Sequence, residues 1–362
     1  MAIFLFFVIL VVLILVHEFG HFITAKKFGI LVEEFGIGFP PKLFGRKRGE
    51  TEYTVNLLPF GGFVRIFGEH ADEPAEGRDP SRAISAQPRY VQALVLVAGV
   101  FCNAILAWLL FTAAFTFGMP ATIEDDAREI PADAKLLILS VLANTPAADA
   151  GIKPGDAIVS VTSGTDTLST PTASTTAVFI EAHPGIPLTL TYEREGKQGV
   201  AVVTPAAEGE ERGHIGVALG FVGTQSFPVH EAAWKALVMT GEVLKEVVVS
   251  FGSLILDAFM LDADISQLTG PVGLVGLVGD ASSLGFVYLL TFTAFISLNL
   301  AVLNLLPFPA LDGGRLFLLG IEAIRRKTLA PSVVNTLNTV GFILLIFLML
   351  VVTYQDILRL IR

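Results

Sequence analysis

The sequence predicts an α-helical polytopic membrane protein with about four transmembrane helices, a cytoplasmic membrane-associated β-hairpin region and an inserted extracytoplasmic α+β domain. Three observations carry this. Of the 362 residues 53% are hydrophobic and only 16% charged, far from the average of soluble domains. Four apolar stretches approach or exceed the roughly 20 residues that a bilayer requires. Between the second and third, polar and charged residues return over about a hundred positions, enough for a small domain.

The first stretch runs from Ala2 to Ala25. It has no positive leading segment and no small-residue cleavage site, so it reads as a retained span rather than a signal peptide. The further spans cover about Val91–Phe117, Phe286–Leu306 and Leu337–Tyr354. Lys and Arg orient them. The segment 26–90 holds ten, and the short segment after the third span holds Arg315, Arg325, Arg326 and Lys327, whereas the long segment 119–285 holds eight. The positive-inside rule then puts 26–90 and 312–335 in the cytoplasm and 119–285 outside, with both chain ends outside. Arg89 anchors the second span at the interface. The net charge of −10 excludes nucleic acid as a partner, and the single Cys102 forms no internal disulfide.

Four sections follow: 1–118 with the first two spans and the cytoplasmic β loop, 119–228 as the inserted domain, 229–285 as an amphipathic membrane-surface segment, and 286–362 with the last two spans. In the inserted domain Leu136–Leu142 and Ala157–Val161 read as strands and Ala147–Ala150 as a short helix. Gly151–Asp156 reads as a turn, Leu188–Tyr192 and Gly199–Thr204 as a strand pair, and the Thr-rich stretch Thr162–Thr176 as loop. His230 to Leu261 carries apolar residues at helical spacing opposite Lys235, Glu242, Lys245 and Glu246. It reads equally as a helix on the outer membrane surface or as one packed on the inserted domain.

The first span contains His17-Glu18-Phe19-Gly20-His21. On a helix the two imidazoles lie about 40° apart on one face. There they can hold one Zn²⁺, with Glu18 beside it as a general base. An ionisable cluster inside a span is costly and functional by default. A catalytic zinc needs a third protein ligand. The third span ends in Asn304-Leu305-Leu306-Pro307-Phe308-Pro309-Ala310-Leu311-Asp312-Gly313-Gly314, where two prolines break the helix and free backbone groups. His17 lies roughly 21 Å in from the outer end of its helix at 1.5 Å per residue, a depth similar to that of Asp312 at the cytoplasmic end of the third span.

The His-Glu-x-x-His of the first span, the Asn-x-x-Pro-x-Pro-x-Leu-Asp-Gly at Asn304–Gly313 and the small domain between them resemble the site-2 protease family of intramembrane zinc metalloproteases. The nearest likeness is to the bacterial regulator-of-sigma-E group. The resemblance implies that His17, His21 and Asp312 bind one zinc per chain and that Glu18 is the catalytic base. It implies that Asn304, Pro307, Pro309 and Asn103 bind substrate and that residues around 125–220 form a PDZ-like domain. Ala147–Asp156 resembles that domain's helix-turn-strand, and Gly270-Pro271-Val272-Gly273 the segment that leads into the third span. The best-known members carry two such domains, and this chain has room for one. The implied partners are the lipid bilayer, an upstream site-1 protease and single-span membrane proteins, such as membrane-bound anti-sigma factors or remnant signal peptides. The implied location is the bacterial inner membrane. Gly36–Pro41 and Tyr53–Ile66 are rich in strand formers, and an exposed edge there can hold an unwound substrate by strand addition. A non-enzymatic membrane adaptor and a zinc transporter remain as alternatives.

Overall fold

The computed structural model describes residues 1–69, 77–123, 134–142, 144–194, 196–208, 212–260 and 269–361. The chain divides into two compact units, Met1–Phe117 with Pro228–Arg362, and Gly118–Phe227.

The first unit begins with α1 (Ala2–Lys27), apolar up to Val16, then carrying buried His17 and His21 with Glu18 between them, and ending in Lys26 and Lys27. Two bent strands follow, β1 (Val32–Arg48) and β2 (Thr51–Ile66). Residues 34–37 of β1 pair with both 52–55 and 62–65 of β2, while 42–48 pair with 51–56. Two strands thus make four passes, with 62–66 along one rim, and no other strand among the described residues pairs there. Lys26 and Arg82 both bond Glu50 beside the β1–β2 turn, and Arg82 Nε also donates to the Gly29 carbonyl. These two cations hold the Glu50 carboxyl at about 2, below the usual carboxylate range. The helix α2 (Arg89–Phe117) then runs back, with Gly99 and Asn103 on its buried side.

The second unit holds β3 (Met119–Ile123), β4 (Lys135–Val141), α3 (Pro146–Asp149), β5 (Ala157–Ser163), β6 (Asp166–Leu168), α4 (Ala173–Glu181), β7 (Leu188–Arg194), β8 (Lys197–Val203), β9 (Ala206–Glu208), β10 (Arg212–His214) and β11 (Val217–Gln225). One antiparallel sheet has the order β3-β11-β4-β5-β7-β8, with β6 on β5, and β9 pairs with β10. Leu136, Ile138, Val161, Leu188, Leu190 and Val203 from the sheet and Ile180 from α4 form its interior. The stretch Thr162–Thr176, expected as loop, instead completes β5, forms β6 and starts α4. A capping box starts that helix: Thr172 Oγ1 accepts from Thr175 N at 3.1 Å, and Thr175 Oγ1 from Thr172 N at 2.9 Å. Reciprocal caps of this kind offset the weak helix propensity of threonine. The beginning of the expected 125–220 domain, at 125–133, lies outside the described residues.

The chain then returns to the first unit with α5 (Val229–Phe259), α6 (Pro271–Leu284), α7 (Phe286–Leu305), α8 (Asp312–Arg325) and α9 (Pro331–Ile361). Helices α1, α2, α7 and α9 are long and apolar enough to cross a membrane. The section 229–285, expected as one amphipathic surface segment, differs. Its first part is α5, which packs along α2 and α7 through Ala236, Met239, Val243 and Leu244. The indole of Trp108 on α2 donates to the Ala233 carbonyl at 2.9 Å. Its second part, α6, is apolar and brings Val278 against Ile9 and Leu13 of α1. Alanines let α5 approach closely, so the apolar side that suggested a lipid surface meets protein instead. Leu261, the expected end of α5, lies outside the described residues. The loop expected after the third span is helical, as α8.

Candidate metal centre

Two elements far apart in the chain, α1 and the start of α8, bring His17, His21 and Asp312 together. His17 Nε2 lies 2.9 Å and His21 Nε2 3.3 Å from Asp312 Oδ2, and the two imidazole nitrogens lie 3.2 Å apart. Two of the three contacts join residues 295 and 291 positions apart, so the tertiary fold makes this cluster. The histidines share a face because α1 is a regular helix across them. Asp312 arrives because α7 ends at Leu305 and the chain turns sharply over Leu306–Leu311 before α8. Glycines make that turn possible. A Cβ at Gly313 would stand 2.2 Å from the Leu305 carbonyl oxygen, and one at Gly314 2.1 Å from that of Phe308.

The donor set fits zinc. Tetrahedral bonds of about 2.0–2.1 Å put neighbouring ligand atoms about 3.3 Å apart, close to the three separations here. His21 is also fixed in the required tautomer. Its Nδ1 is 2.8 Å from the Val95 carbonyl oxygen, which only accepts, so Nδ1 carries the proton and Nε2 presents its lone pair. Space at the cluster is set by α2. A Cβ on Gly99 would lie 2.5 Å from His21 Nε2 and 2.8 Å from His17 Cε1, so the backbone of α2 itself forms one wall. His17 Nδ1 is buried without a hydrogen-bond partner.

Glu18 accepts a hydrogen bond from Val64 N at 3.1 Å, so the rim of the sheet touches the carboxylate next to the cluster. Glu18, His21 and Asp312 line one cavity of about 240 Å³, together with Phe63, Val64 and Arg315.

The other residues singled out by sequence divide. Asn304 is drawn to the cluster, its Nδ2 3.4 Å from His17 Nε2. Pro307 is exposed in the turn after α7, and Pro309 backs onto Gly341 of α9, where a Cβ would stand 2.6 Å from its ring. Asn103 is fully buried one turn beyond Gly99; neither side-chain amide atom has a partner, and its carbonyl accepts from Ser297 Oγ at 2.8 Å. The Val95 carbonyl, the Val64 amide, Glu69 and Arg315 escaped sequence reasoning. Backbone groups leave no mark in a sequence. Arg315 was legible in principle, at one helical turn from Asp312, once α8 was recognised as a helix.

The chain matches the profile of peptidase family M50 over residues 5–348. It is 32% identical to the zinc metalloprotease RasP of Geobacillus kaustophilus, across 97% of this chain and 96% of that protein. It is 30% identical to the regulator of sigma-W protease RasP of Bacillus subtilis, across 98% of each. The PDZ domain of an SdrC-like protein from Listeria monocytogenes aligns with 25% of this chain and 92% of its own at 20% identity, with a TM-score of 0.21, too low a score to assign a fold. Near-complete coverage of relatives at this level of identity leaves no doubt about descent: the chain belongs to peptidase family M50, the site-2 protease family, and is a zinc metalloprotease.

Proposed function

We propose that this enzyme hydrolyses peptide bonds in or near the transmembrane segments of single-span membrane proteins, with His17, His21 and Asp312 as zinc ligands and Glu18 as general base. The observation that carries the reading is the approach of three ligand atoms to 2.9–3.3 Å of one another beside a carboxylate, with both histidines on a helix apolar enough to span a bilayer. A bound zinc lowers the pKa of water toward 7 and polarises the scissile carbonyl. Glu18, steadied by the Val64 amide, takes the water's proton and hands it to the leaving amine. The rim 62–65 pairs with β1 on one side, and on its outer edge the Val64 amide is turned toward the Glu18 carboxylate. An unwound substrate adds there as a further strand, which keeps its bond out of a helix. Asn304 and Asn103, whose amides both donate and accept, bind the substrate backbone, and Pro307 and Pro309 shape the turn beneath it.

Segments 26–90 and 312–335 face the cytoplasm, while both chain ends and residues 119–228 lie outside the bacterial inner membrane. The inserted domain is PDZ-like and screens substrates by bulk, admitting those already trimmed by an upstream site-1 protease. A relative that regulates sigma-W favours membrane-bound anti-sigma factors as substrates, with remnant signal peptides as a second group.

The test is cleavage of a tagged single-span peptide by purified protein, with and without chelator, alongside zinc content. Asp312→Ala is expected to lose zinc and cleavage together. Full zinc and activity in that variant would remove Asp312 from the site. Chelator-insensitive partner capture without cleavage would favour the adaptor, and zinc flux the transporter.

A further inference from the structure

The cavity that holds Glu18, His21 and Asp312 contains a group with no part in the reaction so far. Arg315 lies one turn after Asp312 on α8 and lines the same cavity. Its guanidinium is bonded to Glu69, which follows the rim strand 62–66. The two side chains are about equally accessible, at 28% and 26%.

Resting on the zinc-protease reading, we propose that Arg315 binds the carboxylate that hydrolysis creates, and that Glu69 holds the guanidinium until the product displaces it. The need follows from the chemistry. Water oxygen bonds to the carbonyl carbon, the C–N bond breaks, one water proton goes to the leaving amine, and the acyl half, losing the other proton, departs as a carboxylate. That new anion forms in a cavity already lined by the carboxyl groups of Glu18, Glu69 and Asp312. Among the described residues, Arg315 is the sole Lys or Arg lining it. Guanidinium binds carboxylates through two parallel hydrogen bonds, so a product carboxylate can replace that of Glu69 like for like. Partial exposure keeps the exchange inexpensive, since water reaches both partners and neither is stranded in a dry interior.

The surroundings supply an exit. A second cavity of about 490 Å³ is lined by Asn338, Thr339 and Phe342 of α9 and shares Glu69, Asp312 and Arg315 with the first. The Arg315–Glu69 pair therefore stands in the wall common to both. A guanidinium that trades Glu69 for the product opens that wall as it takes up the carboxylate.

The experiment compares two inhibitors of the full-length, zinc-loaded enzyme in the single-span cleavage assay. One is the upstream product fragment of the assay peptide as its free acid, and the other is the same fragment as its amide. The readout is the ratio of their inhibition constants. Arg315→Gln is expected to lower the preference for the acid about tenfold, the worth of one charge-assisted contact. Glu69→Gln is expected to raise it, because the competing carboxylate is gone. Arg315→Lys should retain part of the preference, which covers the case that the Gln variant fails to fold. Both Gln variants break the same ion pair, so a merely structural latch moves them together. An acid-to-amide ratio unchanged in both, or shifted in the same direction in both, would overturn the proposal. Failure of the underlying protease reading looks different: the unsubstituted protein would neither cleave the peptide nor hold zinc.

Discussion

In the span-bearing unit the tightest contacts are made where side chains are missing. Gly20 of α1 lies so close to α2 that a Cβ would stand 2.3 Å from the Ala98 carbonyl oxygen, and Gly99, Gly313 and Gly314 make similar approaches. The inserted unit centres on fully buried Leu188, Leu190 and Val161 with Ile138, and its closest glycine approaches, such as that of Gly216, are to side chains (Thr145, 2.4 Å) rather than to backbone. The solvent explains the difference. Lipid tails are as apolar as leucine, so helices gain little by hiding leucine from them and associate through close backbone packing. In water, area removed from solvent at roughly 25 cal/mol per Å² is the main drive. Buried polar groups are met differently from site to site within both units. Asp156 of the inserted unit, 1% exposed, accepts from Arg194 Nε at 2.6 Å, Arg194 Nη2 at 2.7 Å and Lys153 N at 2.8 Å. Among the described residues, buried atoms without a partner occur in both units: His17 Nδ1 and the Asn103 amide in the first, Thr176 Oγ1 and His214 Nδ1 in the second.

Substitutions can break or sharpen that contrast. The largest effect is expected from Glu18→Gln, which should keep zinc and the folded state while lowering turnover by about 10²–10⁴. Zinc content and cleavage rate on the same sample check it, and turnover within a few-fold of the parent would transfer the base role elsewhere. In the inserted unit Leu190→Ala should cost about 2–5 kcal/mol of that unit's stability through the cavity it leaves. Its zinc content should be unaffected, with thermal unfolding as the measurement. Gly99→Ala is the opposite kind of change, one methyl added where there is no room. It should weaken zinc binding about 10–100-fold, as losses of supporting geometry around a metal do; a competitive chelator titration reads this, and unchanged affinity would show that α2 gives way instead. The smallest effect is expected for Asp156→Asn, about 1–3 kcal/mol from lost charged hydrogen bonds.

Acid should report the same pair. Burial would raise the Asp156 carboxyl, but the hydrogen bonds from Arg194 and the Lys153 amide prevail and hold it below the usual carboxylate value. A folded-state pKa below the unfolded one means that the stabilisation is complete above the unfolded value. It is lost as pH falls through the folded one. The parent should therefore lose stability below about pH 4, and Asp156→Asn should lose less over that interval.

The parts of the fold legible in the sequence were those governed by local pattern. The span cores were visible because the bilayer imposes a length, and the His17–His21 face because a helix imposes an angle. The Pro307–Gly314 break was legible because prolines and adjacent glycines have few uses inside a span. What escaped depended on partners. Helix α4 is Thr-rich and owes its start to a cap, α8 looked like a loop after a broken span, and α5 showed an apolar side without saying whether lipid or protein meets it. The sheet was read as a hairpin, and only its pairing reveals the doubled passes that bring Val64 to Glu18. At the metal cluster the side-chain donors stood out by type, whereas the Val95 carbonyl that sets the His21 tautomer had no signature.

The 295-residue separation between His17 and Asp312 also has a meaning in time. Chains are made at about 5–20 residues per second, so roughly 15–60 s pass between synthesis of the first donor and of the last. Throughout that interval α1 would carry His17, Glu18 and His21 without the proposed third ligand Asp312. On the proposed ligand set, a chain ended before Asp312 would lack a complete metal site. If Asp312 completes the site as proposed, proteolytic competence would arrive only after the inserted domain has been made.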